Sequence, residues 1–158
     1  MTITFRQWPP VRPTSPSRFT RLLPAAAPIV FGAFIDANQL AEWWGPRGFT
    51  VPSLEFDPRV GELFRIEMQP PEGDRFHLAG EFREVDPPAR LAFTFVWDPP
   101  DPDDLETLVA LSFRDLGGST EVNLTQGPFT TEARCTLHRD GWTDSLDKLE
   151  RLVADQTA

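Results

Sequence analysis

The sequence is short of what a metal centre or a disulfide scaffold requires. Its single cysteine, Cys135, cannot close a disulfide within the chain, and His77 and His138 are the only imidazoles, so no Cys/His cluster stands at metal-ligand spacing. No metal or other cofactor is expected. No apolar run is long enough to cross a bilayer, and prolines occupy the stretch Met1 to Ser17 where a signal peptide would carry its hydrophobic segment. With the lone cysteine, this predicts a reducing, cytoplasmic setting without membrane insertion. Basic residues are also in the minority. Lys and Arg number 15 against 24 Asp and Glu, a formal net charge of −9 that repels phosphate backbones and argues against nucleic-acid binding. There is no glycine-rich phosphate loop, and Ser112, Ser119 and Ser145 have no neighbouring His and Asp arrangement, which leaves nucleotide-binding and hydrolase readings without support. The stretch Asp98 to Asp104 gathers carboxylates, yet its prolines and the lack of a calcium-loop spacing make it a solvated connection.

What is present is a regular alternation. At 158 residues the chain fits one domain that buries about two-thirds of its unfolded surface. Residues 1–16, with Pro9, Pro10, Pro13 and Pro16, read as an extended arm in which Trp8 docks, and residues 17–158 as the domain. A short strand over Ser17 to Leu23 is followed by an Ala-rich helix to Ile35, with Pro28 in its first turn. A second helix spans about Gln39 to Trp44, with Asp36 or Asn38 as cap and Gly45-Pro46 as stop. Apolar residues then recur with period two in Leu54-Phe56, Phe64-Ile66-Met68, Phe76-Leu78-Gly80-Phe82 and Leu91-Phe93-Phe95-Trp97, divided by turn-forming segments. Two further strands, about Thr107 to Phe113 and Ser119 to Gln126, flank Gly117-Gly118 as a hairpin. From beyond Pro128 to about Ala154, Cys135, His138, Trp142, Leu146, Leu149 and Val153 recur at spacings of three and four. An antiparallel sheet with one apolar face and a long amphipathic helix to cover it predicts an α+β fold.

The order strand, two helices, six strands and helix, together with Val30-Phe31, Ala33, Trp43-Trp44-Gly45-Pro46, Asp57, Val60-Gly61, Phe64, Gly80, Pro88, Leu91, Phe93, Trp97, Thr120, Gly141-Trp142, Leu146 and Leu149, resembles the START-related, pollen-allergen-like helix-grip superfamily. Within it the chain is similar to the branch of the activator of the heat-shock chaperone ATPase, from about Ser17 to Val153. The resemblance implies a seven-stranded curved antiparallel sheet wrapped around a long C-terminal helix, and a cavity between the two. It does not by itself imply one job, because relatives include lipid carriers, hormone receptors, polyketide cyclases and co-chaperones.

The inward set read from the alternation is almost free of ionisable groups, which favours binding of a small hydrophobic molecule over acid–base chemistry. Its expected ligand-binding residues are Trp44, Phe64, Phe82, Phe93, Phe95, Trp97, His138 and Trp142; no catalytic residue is assigned. The same side chains could instead fill a solid core. His138, one turn before Trp142, is either a hydrogen-bonded core residue or a polar contact for the ligand, and Gly141 beside it suggests close packing or room for a ligand. Of Trp43 and Trp44, one is expected to pack inward and the other to stand half exposed. Arg65, Glu67, Glu81 and Arg83 fall on the opposite strand face, where cross-strand charge pairs are expected; inverted faces would put these four in the cavity. The alternatives to a binding protein are a cyclase- or aromatase-like enzyme using His138 to move protons, and a co-chaperone acting through its surface. A homodimer is compatible with the sequence.

Overall fold

The computed structural model describes residues 16–157; the expected arm up to residue 15, with the docking of Trp8, lies outside the described residues. Strand β1 (Ser17–Leu23) leads into helix α1 (Ala27–Ile35) and helix α2 (Ala37–Trp43). Pro28 sits in the first turn of α1, where its missing N–H leaves no intrahelical bond unmade. Val30, Phe31, Ala33 and Phe34 form the buried face of this helix. Of the two candidate caps for α2, Asp36 acts: its carboxylate accepts from the backbone N–H of Asn38 at 2.9 Å and of Gln39 at 3.2 Å. The helix ends at Trp43, and Gly45 follows with φ of +96°, the left-handed conformation for which glycine is suited.

Strands β2 (Leu54–Glu55), β3 (Leu63–Met68), β4 (Phe76–Asp86), β5 (Arg90–Asp98), β6 (Thr107–Asp115) and β7 (Thr120–Gly127) make an antiparallel meander. With β1 beside β7, the seven strands lie in the order β1-β7-β6-β5-β4-β3-β2. The turn between β6 and β7 is the expected hairpin, tightened where the Asp115 carboxylate accepts from Gly117 N–H at 2.9 Å. The register of β4 against β5 shifts between Phe82 and Glu84, and such a bulge adds bend and twist. Just before it, Gly80 is required by close approach. A Cβ there would lie 1.9 Å from the Thr94 carbonyl oxygen and 2.6 Å from the Phe64 ring.

Helix α3 (Glu132–Thr157) lies on the concave face. Its stripe Cys135, His138, Trp142, Leu146, Leu149 and Val153 is buried throughout, as the three-and-four spacing predicts. The opposite sheet face is polar, so the faces are not inverted. Of the four charges on it, Arg65 makes a cross-strand pair as expected, though with a residue outside the set, and Glu81 and Arg83 pair along one strand. Arg65 reaches Asp98 at 2.9 Å, Glu67 meets Arg75 at 3.5 Å, and Arg83 joins Glu81 along the same strand at 3.3 Å. Long side chains on a twisted surface reach neighbours beyond their register partner, and each exposed pair contributes only about 0–1 kcal/mol.

Candidate functional site

The space between sheet and helices divides into a filled end and an open end. At the filled end Phe64 packs on Phe82 with ring centroids 5.2 Å apart and edge-on to Phe93 at 5.6 Å, while Phe56 closes on Phe82 at 5.4 Å. These rings, with Phe34, Leu40 and Trp44, leave a void of about 10 Å³, too small to be a ligand site. Phe64, Phe82 and Phe93 were expected in the pocket wall; they stand in packed core instead, because α1 and α2 bring Phe34 and Leu40 down upon them. Trp43 is likewise fully buried, its indole N–H donated to the Ala33 carbonyl at 2.9 Å. Trp44 is buried as well, so neither tryptophan is the half-exposed one anticipated.

At the other end a cleft of about 470 Å³, open to solvent on one side, separates the first half of α3 from the ends of β4 and β5 and from the segment after α2. Phe76, Phe95 and Trp97 of the sheet form one wall, His138, Gly141 and Trp142 of α3 the other, and Trp44, Gly45, Pro46 and Phe49 the third. Trp44, Phe95, Trp97, His138 and Trp142, five of the expected residues, therefore come together here. Phe49, Leu137 and Met68 also line the cleft. Met68 is readable as inward-facing from its strand, whereas Phe49 arrives only because the chain reverses at Gly45-Pro46.

The walls are fixed by hydrogen bonds within the protein. The Trp142 indole N–H donates to the Gln126 side-chain oxygen at 2.8 Å, and Gln126 in turn donates to the Thr107 hydroxyl at 2.9 Å. The Trp44 ring stands edge-on to Trp142 at 5.3 Å. The turn after Trp44 is clasped by α3: Gly45 N–H donates to the Ser145 hydroxyl and Arg47 N–H to the Asp144 carboxylate, both at 3.1 Å. Lys148 points its ammonium at the carbonyls of Trp44 and Pro46, 3.5 and 3.4 Å away, and burial holds its pKa below the usual lysine value.

His138 is held by the sheet. The Trp97 indole N–H, which can only donate, lies 3.1 Å from His138 Nε2. Nε2 therefore carries the lone pair and the neutral ring bears its proton on Nδ1. Phe95 and Phe129 flank the ring at 5.2 and 4.9 Å. Burial pushes the imidazole pKa down to about 4, and the nearby Arg134 guanidinium adds to this against a weaker opposing pull from Asp104. Among the described residues, Nδ1–H has no acceptor.

The connection after β5, expected to be merely solvated, is instead anchored over the start of α3. Arg134 pairs with Asp104 and, at 3.5 Å, with Asp101, and the Thr130 hydroxyl donates to the Asp103 carbonyl at 2.6 Å. The side chain of Asp104 is 7% exposed, which a free carboxylate in a solvated loop would not be. Asp101, Asp104 and Arg134 thus join Asp140 and Asp144 in the lining of the cleft. The sequence signal for this, an arginine one turn before His138, reveals nothing until the loop is seen to fold back. Among the described residues no group of three His, Cys, Asp or Glu could hold a metal ion, and no helix is long and apolar enough to cross a membrane.

The profile of the family described as Activator of Hsp90 ATPase homolog 1-like protein matches residues 24–154. The chain belongs to that family. Solved structures repeat the helix-grip arrangement. Protein CV1439 of Chromobacterium violaceum is 26% identical with a TM-score of 0.81, covering 88% of this chain and 96% of its own. The AHSA1 protein of Silicibacter pomeroyi is 28% identical with a TM-score of 0.79, covering 90% and 99% respectively. A Nitrosomonas europaea protein at 22% identity and a TM-score of 0.76, covering 90% and 96%, shares the fold. No curated protein matches the chain in sequence. The family fold is consistent with a hydrophobic ligand in a cavity between sheet and α3.

Proposed function

We propose that this member of the family binds a small, largely apolar molecule of aromatic or acyl character in the cleft between β4, β5 and α3. The observation that carries this reading is the aromatic-walled cleft of about 470 Å³, within the volume range of small-molecule sites. The indole N–H groups of Trp97 and Trp142 are already bonded to His138 and Gln126, so these walls offer a ligand ring faces more than polar groups. A cyclase-like proton transfer through His138 is disfavoured: with its pKa down to about 4, the imidazole is a weak base at neutral pH. Nothing in the site requires a cofactor or a nucleic acid, and a cytoplasmic setting suits the reading.

Tryptophan fluorescence tests it. Titration with a panel of flavonoids, polycyclic aromatics and fatty acids is expected to give saturable quenching from Trp44, Trp97 and Trp142 for at least one class. That response should be lost in Gly141→Leu, a variant that fills the cleft from α3, with its fold checked by circular dichroism. No saturable response across the panel, or one that Gly141→Leu leaves intact, overturns the assignment of this cleft.

A further inference from the structure

The charge around the cleft narrows the ligand class. Four aspartates, Asp101, Asp104, Asp140 and Asp144, line it against one arginine, Arg134. That arginine is poorly available to an incoming anion: its terminal nitrogens are paired with Asp101 and Asp104, and its Nε, although it has no hydrogen-bond partner among the described residues, is buried. The neighbouring cations face elsewhere. Lys148 is directed at the carbonyls of Trp44 and Pro46 and of the four aspartates interacts with Asp144 alone, and Arg47 is exposed beside Asp147 at 3.8 Å; neither lines the cleft. The aromatic side chains of Trp44, Phe76, Trp97 and Trp142 line the same cleft. A positive charge at the edge of such a cleft meets aromatic quadrupoles and carboxylates together, whereas a carboxylate of the same size meets repulsion from both. The chain's formal net charge of −9 adds long-range attraction for cations. His138, 8% exposed and with its Nδ1–H unmatched among the described residues, offers one donor on the cleft wall for a neutral acceptor atom of the ligand.

We propose that the cleft selects organic cations, an ammonium group carried on an aromatic-sized apolar body, over carboxylates of the same shape. This rests on the reading of the cleft as the binding site. Three probes of matched body separate the two ideas: 2-(2-naphthyl)ethylammonium, 2-(2-naphthyl)ethanol and 2-naphthylacetate, titrated into the full chain by calorimetry. The expected order is ammonium, alcohol, carboxylate, with the first and last separated by about tenfold or more at low salt and by less at high salt. In the double variant Asp140→Asn/Asp144→Asn, folded by circular dichroism, that separation should narrow several-fold. Equal affinities, or tighter binding of the carboxylate, overturn the selectivity while leaving the cleft as a binding site. Absence of binding by all three overturns the selectivity alone if the fluorescence panel still gives a saturable response, and both readings if the panel gives none.

Discussion

At one end of the interior Phe56, Phe64, Phe82 and Phe93 close ring on ring around about 10 Å³ of void; at the other, Phe95, Trp97 and Trp142 stand around a cleft of about 470 Å³. Phe93 and Phe95 are two residues apart on β5, about 7 Å along the strand, and share one face of it. Strand alternation cannot tell them apart. The difference lies in what covers them. Over Phe93 come Phe34, Leu40 and Trp44 from the two short helices, and apolar atoms fill the gap. Over Phe95 and Trp97 comes the first half of α3, where Gly141 has no side chain and Arg134 and His138 are committed to polar contacts. An apolar face thus becomes core or cavity according to the element laid upon it.

The sharpest way to break this comparison is to truncate one ring at the filled end. Phe82→Ala removes a buried ring that touches Phe56, Phe64 and Phe93 and is expected to cost about 3–5 kcal/mol of unfolding free energy in urea titrations. A loss below about 1 kcal/mol would mean that this end is as loosely packed as the cleft. A somewhat smaller effect is expected from acid at the open end. The folded-state pKa of His138 is lowered to about 4 from the ordinary 6.5, so the unfolded chain takes up this proton first as pH falls. Its contribution is complete above pH 6.5, declines between 6.5 and 4, and is constant below. The loss over that window is about 3 kcal/mol. Comparing unfolding free energy against pH for the wild type and His138→Gln isolates it. If both curves fall in parallel between those limits, His138 is not buried neutral as the structure has it.

The fold was largely legible because it is written in periods. Alternation marked β3 to β7, and the three-and-four spacing of Cys135 to Val153 marked the covered side of α3, since these repeats report directly which side chains share a face. The cap was legible only to within a choice, Asp36 or Asn38, because both side chains suit the position. The site was less legible. His138 and Trp142 could be named from the helix stripe, and Phe95 and Trp97 from the strand, but nothing local separates them from Phe64, Phe82 and Phe93, whose rings have the same pattern and chemistry. Asp101, Asp104 and Arg134 escaped because their meeting is long-range: Arg134 lies 30 residues beyond Asp104, and an aspartate in a proline-rich stretch reads as solvent-facing until its partner is known. Gly80 was visible in the alternation, yet the close approach of the Thr94 carbonyl that requires it depends on the register of β4 against β5.

The smallest effect expected discriminates most finely, because it carries opposite signs in stability and in binding. Gly141 lies in the middle of α3, and a Cβ built on it would meet only Pro46 Cγ at 3.7 Å, an ordinary contact. Gly141→Ala should therefore gain helix propensity without a clash and raise the unfolding free energy by about 1 kcal/mol. The same methyl adds bulk at the wall of the cleft, so affinity for an aromatic ligand should fall by a few-fold, on the order of 1 kcal/mol. Natural sequences hold glycine inside a helix at a cost in stability when the space is needed, and the pairing of a gain with a loss is the signature of that trade. If Gly141→Ala stabilises the protein and leaves ligand affinity unchanged, the ligand does not reach this wall. If it destabilises the protein, the glycine serves the packing of α3 against Pro46, and the open end is closer to a core than its volume indicates.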